Sequence, residues 1–374
     1  MEQENLNTIA LSLLPKLNPA IEKRLIEDAG SATELFNHRN NLKAILPDVN
    51  SKVQQAFADA DDALRKAEKE LEFITKNNIQ VLYYTSPDYP ERLRHCEDAP
   101  SVLFYIGNAN LNRSKIISIV GTRKATQYGK DICNSFIADL KRYYSDILVV
   151  SGLAYGIDIY AHKASLTNNM DTVGVLAHGL DRIYPATHRD IAKKMIRQGG
   201  LLTEYISGTT PERINFIRRN RIVAGISDCT IVVESASHGG ALITADIASS
   251  YHRDVFAFPG RVYDEYSEGC NNLIKNQKAV VIQNAEDLIN AMIWDNPLLG
   301  EKEHQDNQLE LFPELSPEQM NIVDILRQEN DLQINQIIVR TNMNYSKVSA
   351  MLFELEMQGI INVLGGARYH LIQR

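Results

Sequence analysis

The sequence predicts an α/β fold, in which a Rossmann-like, doubly wound, mostly parallel sheet carries a small all-α domain before it and a winged helix after it. Three observations predict this. From Lys115 onward, seven short β-branched runs alternate with helical stretches. Those runs end in glycine-rich turns. The last segment reads helix, helix, helix, hairpin. The expected boundaries are 1–75 for the helical domain, 76–294 for the extended Rossmann-like domain, 295–314 for a linker and 315–374 for the winged helix.

The elements follow in order. Apolar positions in TIALSLLPKL, IEKRLIEDAG and SATELF predict short helices, and Ser31 with Glu34 three residues on reads as a capping box. An Ala-, Lys- and Glu-rich helical stretch runs from about Val53 to Lys76. Strands VLYYT and SVLFYIG flank the turn-rich SPDYPERLRHCEDAP. The alternating runs are IISIVG, ILVVSG, TVGVLAHG, LLTEY, CTIVVES, VFAFPG and AVVIQ. Their continuous apolar character suits a sheet covered on both faces. The stretch DNPLLGEKEHQDNQLELFPE is polar and acidic and reads as the linker. Ser316-Pro317 then opens a helix, and INVLGGARYHLI reads as a hairpin turning at Gly365-Gly366.

Composition excludes several classes. No apolar run reaches membrane-spanning length, and the N-terminal residues lack a secretory pattern, so the expectation is a cytoplasmic protein with no membrane partner. The four cysteines are far apart and suggest ordinary thiols in a reducing compartment, with no metal or other cofactor. The net charge of −8 speaks against a nucleic-acid partner. Its distribution speaks for one, because residues 182–221 hold 9 basic and 3 acidic side chains between acidic ends. Taken alone, that stripe reads as a solvated helix face.

In an open parallel sheet, ligands bind beyond the carboxyl ends of the strands. There this sequence places Gly121-Thr122-Arg123, with a helix start following that favours negative charge. Ser151-Gly152 with Gly156, and Gly239-Gly240, form comparable turns. The segment Arg213-Ile214-Asn215-Phe216-Ile217-Arg218-Arg219-Asn220-Arg221 embeds an aromatic ring in basic residues, a pairing suited to single-stranded nucleic acid. Neither G-x-G-x-x-G nor a P-loop is present. Each turn alone is weak; together on one rim they predict an extended anion site.

Four strings carry a resemblance: Ser118-Ile119-Val120-Gly121-Thr122-Arg123 with Tyr128-Gly129; Ser151-Gly152-Leu153-Ala154 with Gly156-Ile157-Asp158 and Ala161-His162; Arg219-Asn220-Arg221-Ile222-Val223-Ala224-Gly225; and Val255-Phe256-Ala257-Phe258-Pro259-Gly260. With Asp88-Tyr89-Pro90 and Ala99-Pro100 they resemble the DprA/Smf family of DNA-processing proteins across residues 78–290. The resemblance implies a non-enzymatic protein that binds and protects single-stranded DNA in natural transformation. It also implies loading of the RecA recombinase, displacement of single-strand-binding protein, and a homodimer. By the same resemblance Gly121, Thr122 and Arg123 hold phosphate, Ser151 and Gly152 form a second phosphate loop, and Arg213, Phe216, Arg219 and Arg221 fall in a DNA-contacting motif. Ile217 replaces a proline there, and Gly239-Gly240-Ala241 replaces S-G-S. Ala186 replaces a lysine, with Arg189 as its substitute. The N-terminal helices resemble the family's SAM-like or helix-hairpin-helix segment, although Leu17-Asn18-Pro19-Ala20 lacks the G-x-G hairpin.

Individual residues divide between roles. His162 reads as a structural histidine, Asp158 as a cap or orienting carboxylate, and Glu234 as a group steering a neighbouring N–H or arginine. Tyr128 and Tyr155 either pack against the loops or stack a base. Phe104 and Tyr105 read as core. The expected recognition helix, Tyr345–Gly359, has one lysine and two glutamates and favours a protein-interaction or regulatory role over reading duplex DNA. Two other functions compete: a phosphoribohydrolase of the LOG type, whose glutamate and third glycine are missing after Gly240, and a sensor of a nucleotide-like ligand.

Overall fold

The computed structural model describes residues 2–58, 60–294, 315–329, 332–358, 360–364 and 368–371. The chain divides into two compact units, residues 1–296 and 297–374. The expected linker and the turn at Gly365-Gly366 lie outside the described residues.

The first unit opens with helices α1 (Glu2–Ser12), α2 (Pro19–Ala29), α3 (Ala32–Asn37), α4 (Ser51–Ala58) and α5 (Ala60–Asn77). Asn18 caps α2 by accepting from the Ile21 amide, which gives the missing hairpin glycine position a different local task. Ser31 caps α3 through the Glu34 amide. The expected reciprocal half of that box is replaced, because the Glu34 carboxylate lies 3.5 Å from the His38 ring one turn on.

Next come β1 (Gln80–Tyr83), α6 (Glu91–Arg94), β2 (Val102–Gly107), β3 (Lys115–Val120), α7 (Gln127–Tyr143), β4 (Ile147–Ser151), α8 (Ile157–Thr167) and β5 (Thr172–Val175). The unit continues through α9 (Arg189–Arg197), β6 (Gly199–Thr203), α10 (Arg213–Gly225), β7 (Cys229–Val232), α11 (Gly240–Ser250), β8 (Asp254–Ala257), α12 (Glu268–Lys275), β9 (Val280–Val281) and α13 (Ala285–Ala291). The nine strands form one sheet in the order β1-β2-β6-β5-β4-β3-β7-β8-β9. At one edge β2 pairs antiparallel with both β1 and β6, and the other pairings are parallel. The alternation of side chains along β3 explains the two covered faces. Ile116 and Val120 face the core under α10 and α11, and Ile117 and Ile119 face the core under α7, α8 and α13. The strand order reverses between β3 and β7, which opens a crevice at their carboxyl ends.

The helical segment shares a core with the sheet. Leu35, Phe36, Phe57 and Ile74 pack in one cluster with Val102 and Phe104 of β2, while Tyr105 faces the opposite core. Across this seam the Ser101 hydroxyl donates to Glu22, and Lys23 donates to the carbonyls of Cys96 and Glu97 at 3.2 and 2.6 Å. Burial pushes the Glu22 carboxyl up to about 7, against the opposing pull of Ser101. A carboxyl raised on folding binds more protons in the native state, so its ionisation removes stability as pH rises from about 4.5 to 7. Glu22→Gln is therefore expected to stabilise the protein by about 1–3 kcal/mol at pH 8 and to have no effect near pH 4. Thermal melts of both proteins at the two pH values test this.

The second unit contains α14 (Pro317–Gln328), β10 (Leu332–Gln333), α15 (Ile334–Thr341), α16 (Tyr345–Met357), β11 (Ile361–Leu364) and β12 (Arg368–Leu371). Its strands order as β10-β12-β11 around a core of Ile322, Leu326, Ile337, Leu352 and Ile361. This is the winged-helix arrangement expected from sequence. A complete capping box of Ser316 and Gln319 starts α14. Lys347, the lysine of α16, is paired with Glu318, while Phe353 and Met357 are exposed on the same helix.

Candidate functional site

The crevice at the strand-order reversal is an open cleft of about 990 Å³. Its walls come from the turns after β3, β4 and β7, from Tyr184 in the loop after β5, from one side of α10 and from the start of α11. Of the residues expected from sequence, Gly121, Thr122, Arg123, Gly152, Arg213, Phe216, Arg219, Asn220, Gly239 and Gly240 all line it.

The turn after β3 is fastened by the Thr122 amide donating to the Glu234 carbonyl at 2.7 Å and by the Ile157 amide donating to the Thr122 carbonyl at 3.1 Å. Gly156 makes the second bond possible. Its φ of +78° favours glycine, and a Cβ there would lie 2.0 Å from the Thr122 oxygen. Gly156 thus supports the turn from behind. Arg123 extends into solvent with its guanidinium 5.3 Å from the Phe216 ring centre. Arg219 approaches the same ring at 6.0 Å, and Tyr184 meets it at 5.8 Å. Two cations and two aromatic rings therefore converge, with each cation–π contact worth about 0.5–2 kcal/mol.

Arg219 differs from the rim arginines in being only 4% exposed. It reaches the cleft because Asn215, Arg219, Ile222 and Val223 share the buried face of α10. Its Nη1 donates to the Val175 carbonyl, and its Nε has no partner among the described residues. The guanidinium lies flat against Gly152, where a Cβ would fall 2.1 Å from Nη1. Burial lowers its pKa while the charge of Asp158 raises it. Burial also raises the Asp158 pKa, countered first by Arg219. The Asp158 carboxylate accepts from the Ala154 amide at 3.4 Å, the orienting role expected of it. No ion pair to Arg219 occurs among the described residues, so its charge is available to an anion entering the cleft.

The start of α11 forms the facing wall. Gly239 leads into it without a side-chain cap, and the Asn220 amide group reaches the Gly240 carbonyl at 3.4 Å. Uncapped amides at a helix start attract anions.

Four expected residues stand elsewhere. Ser151 is fully buried and donates to the Ile119 carbonyl at 2.6 Å, so its hydroxyl is used within the sheet. Gly156 lies behind the Arg123 loop and not on the cleft wall. Arg189 begins α9, is exposed and does not line the cleft. Arg221 is paired with Glu204 and donates to the Asp98 carbonyl. Two residues along a helix turn the side chain by about 200°, so Arg219 and Arg221 cannot share a face.

Among the cleft residues that sequence reasoning missed is Tyr184; 46% exposed beside Phe216, it had only the Tyr-Pro dipeptide as its signal. Tyr128 packs against a loop through a 2.6 Å bond to the Pro259 carbonyl, and Tyr155 meets His188 edge-on. His162 is structural: Nδ1 pairs with the Thr172 hydroxyl at 2.7 Å, and burial pushes its pKa down to about 3.

Two models of known families match this chain, one within each unit. A family model described as DNA recombination-mediator protein A matches residues 80–293, and one described as the DprA winged helix domain matches residues 311–367. Protein Smf of Synechocystis sp. is 34% identical over 330 residues, covering 80% of this chain and 82% of that protein. DNA processing protein DprA of Bacillus subtilis is 39% identical over 214 residues, covering 57% of this chain and 71% of that protein. The X-ray structure of DprA from Streptococcus pneumoniae aligns with a TM-score of 0.65 at 30% identity, over 78% of this chain and 98% of that one. The structure of DNA processing protein A from Helicobacter pylori, described in terms of its single-stranded DNA binding mode, aligns with a TM-score of 0.52 at 27% identity, over 57% of this chain and 95% of that one.

Proposed function

This chain belongs to the DNA recombination-mediator protein A (DprA/Smf) family, and we propose from that premise that its cleft holds single-stranded DNA by the phosphates without altering it. The observation that carries the reading is the convergence of Arg123, Arg213 and the buried, unpaired Arg219 beside Phe216. Guanidinium groups take phosphate oxygens, and Phe216 and Tyr184 give a base a face to stack on. Contacts to backbone and ring faces carry no sequence information, so binding is sequence-independent. The Helicobacter pylori relative, with its described single-stranded DNA binding mode, supports this choice of ligand.

By the same family membership, the bound strand is delivered to the RecA recombinase, and the protein works as a homodimer. The winged helix takes a protein-directed role, because Lys347 is engaged by Glu318 and α16 presents Phe353 and Met357 instead of arginines.

Fluorescence anisotropy with single-stranded and duplex oligonucleotides of equal length, across a salt series, tests the reading. Tighter binding of the single strand, falling steeply with salt, is expected. Arg123→Ala should weaken binding to all sequences alike and flatten the log–log salt slope by about 0.7–1, one phosphate contact. Equal affinity for duplex, or no salt dependence, would remove the proposal.

A further inference from the structure

The helix start that follows the first strand of a Rossmann-like sheet ordinarily receives a ligand's phosphate. In this protein that place is taken by two of its own side chains, the Thr126 hydroxyl, which accepts from the Gly129 amide at 3.4 Å, and Glu234 behind it. Glu234, just past the end of β7, is 2% exposed. Its carboxylate accepts from the Thr126 amide at 2.9 Å and from the Thr126 hydroxyl at 2.5 Å, and Thr126 is the N-cap of α7. The fit is close: a Cβ on Gly129, in the first turn of α7, would lie 2.1 Å from Glu234 Oε2. The same residue holds the other end of the loop, because its carbonyl accepts from Thr122. Arg123 lies between these two anchors.

We propose that Glu234 is a built-in anion, a positioning residue whose carboxylate fills the phosphate seat at the start of α7 and so sets the Arg123 loop for the strand. Two consequences follow from the geometry. The loop is shaped before any ligand arrives, which removes an ordering cost from binding. A mononucleotide finds the seat occupied by negative charge, so incoming phosphates are directed to Arg123, Arg219 and the uncapped start of α11 instead. The purpose of the loop rests on the strand-binding reading, while occupation of the seat is testable without it.

The test is a thermal-shift titration of the full chain with inorganic phosphate, for the unmodified protein and for Glu234→Ala. The substitution removes the built-in charge from the seat. Phosphate should then raise the melting temperature of the variant more than that of the unmodified protein, a response that mere loss of packing does not produce. Oligonucleotide affinity of the variant should fall about tenfold as the loop loses its anchor. If the alanine variant does not fold, Glu234→Ser opens the same space and carries the same readout. A folded variant whose phosphate response equals that of the unmodified protein overturns the proposal. Failure of the unmodified protein to bind oligonucleotides would sink the strand-binding reading, and the phosphate response would still decide whether Glu234 fills the seat.

Discussion

Replacing Arg219 with alanine is expected to weaken single-strand binding by about a hundredfold, a loss of roughly 3 kcal/mol, read by anisotropy at fixed salt. The effect exceeds that expected for Arg123 because of where each charge sits. Arg123 is exposed, and water and salt screen it. Arg219 is enclosed, has an Nε without a partner among the described residues, and is countered only at a distance by Asp158. An anion that reaches it completes an interaction the folded protein leaves unfinished. Arg219→Lys should not restore binding, since a single ammonium lacks the planar fork that lies against Gly152. Circular dichroism and a melt establish that the variants fold. Wild-type affinity in a folded Arg219→Ala protein would mean that this guanidinium is a packing element and that attraction resides in the exposed rim.

The second large effect concerns Gly156. Its substitution by alanine is expected to cost about 3 kcal/mol of stability and most of the strand affinity with it. A side chain there strains the backbone at φ +78° and drives a Cβ to 2.0 Å from the Thr122 carbonyl oxygen and 2.6 Å from the Arg123 carbonyl carbon. These neighbours are backbone atoms, so relief requires movement of the loop itself. Chemical denaturation reports the stability loss and anisotropy the affinity loss. Unchanged stability would show that the turn after β3 tolerates displacement and is not held in the shape described. Gly152 offers a contrasting case, because its crowding neighbour is the end of the Arg219 side chain. Alanine there should spare the fold and displace only the guanidinium.

Much of this architecture was legible in the residues. The seven runs from IISIVG to AVVIQ became β3 to β9, because continuous β-branched runs separated by helix-length segments have few other solutions. Glycine at positions 121 and 152 pointed to the cleft because backbone that closely approaches another chain segment leaves no room for a Cβ, whereas Gly239 and Gly240 face the cleft with space around them. What stayed hidden was orientation. The string Arg219-Asn220-Arg221 reads as one basic motif, yet helical rotation sends Arg219 into the cleft and Arg221 to Glu204. The i, i+4, i+7 spacing of Asn215, Arg219 and Ile222 did contain that information. Ser151 looked like a ligand for phosphate, but the bond that takes its hydroxyl runs to β3, far away in sequence. Tyr184 comes from a loop after β5 and reaches Phe216 only through tertiary folding.

The core that α3, α4 and α5 share with β2 bears on how this protein can be dissected. A truncation at residue 75 would strip the cover from Val102 and Phe104, leave the Ser101 hydroxyl and the Cys96 and Glu97 carbonyls without their acceptor and donor, and present an oily sheet face to solvent. The helical segment is a buttress rather than a detachable module, and aggregation of such a fragment would reveal a surgical mistake, not a functional requirement for the missing helices.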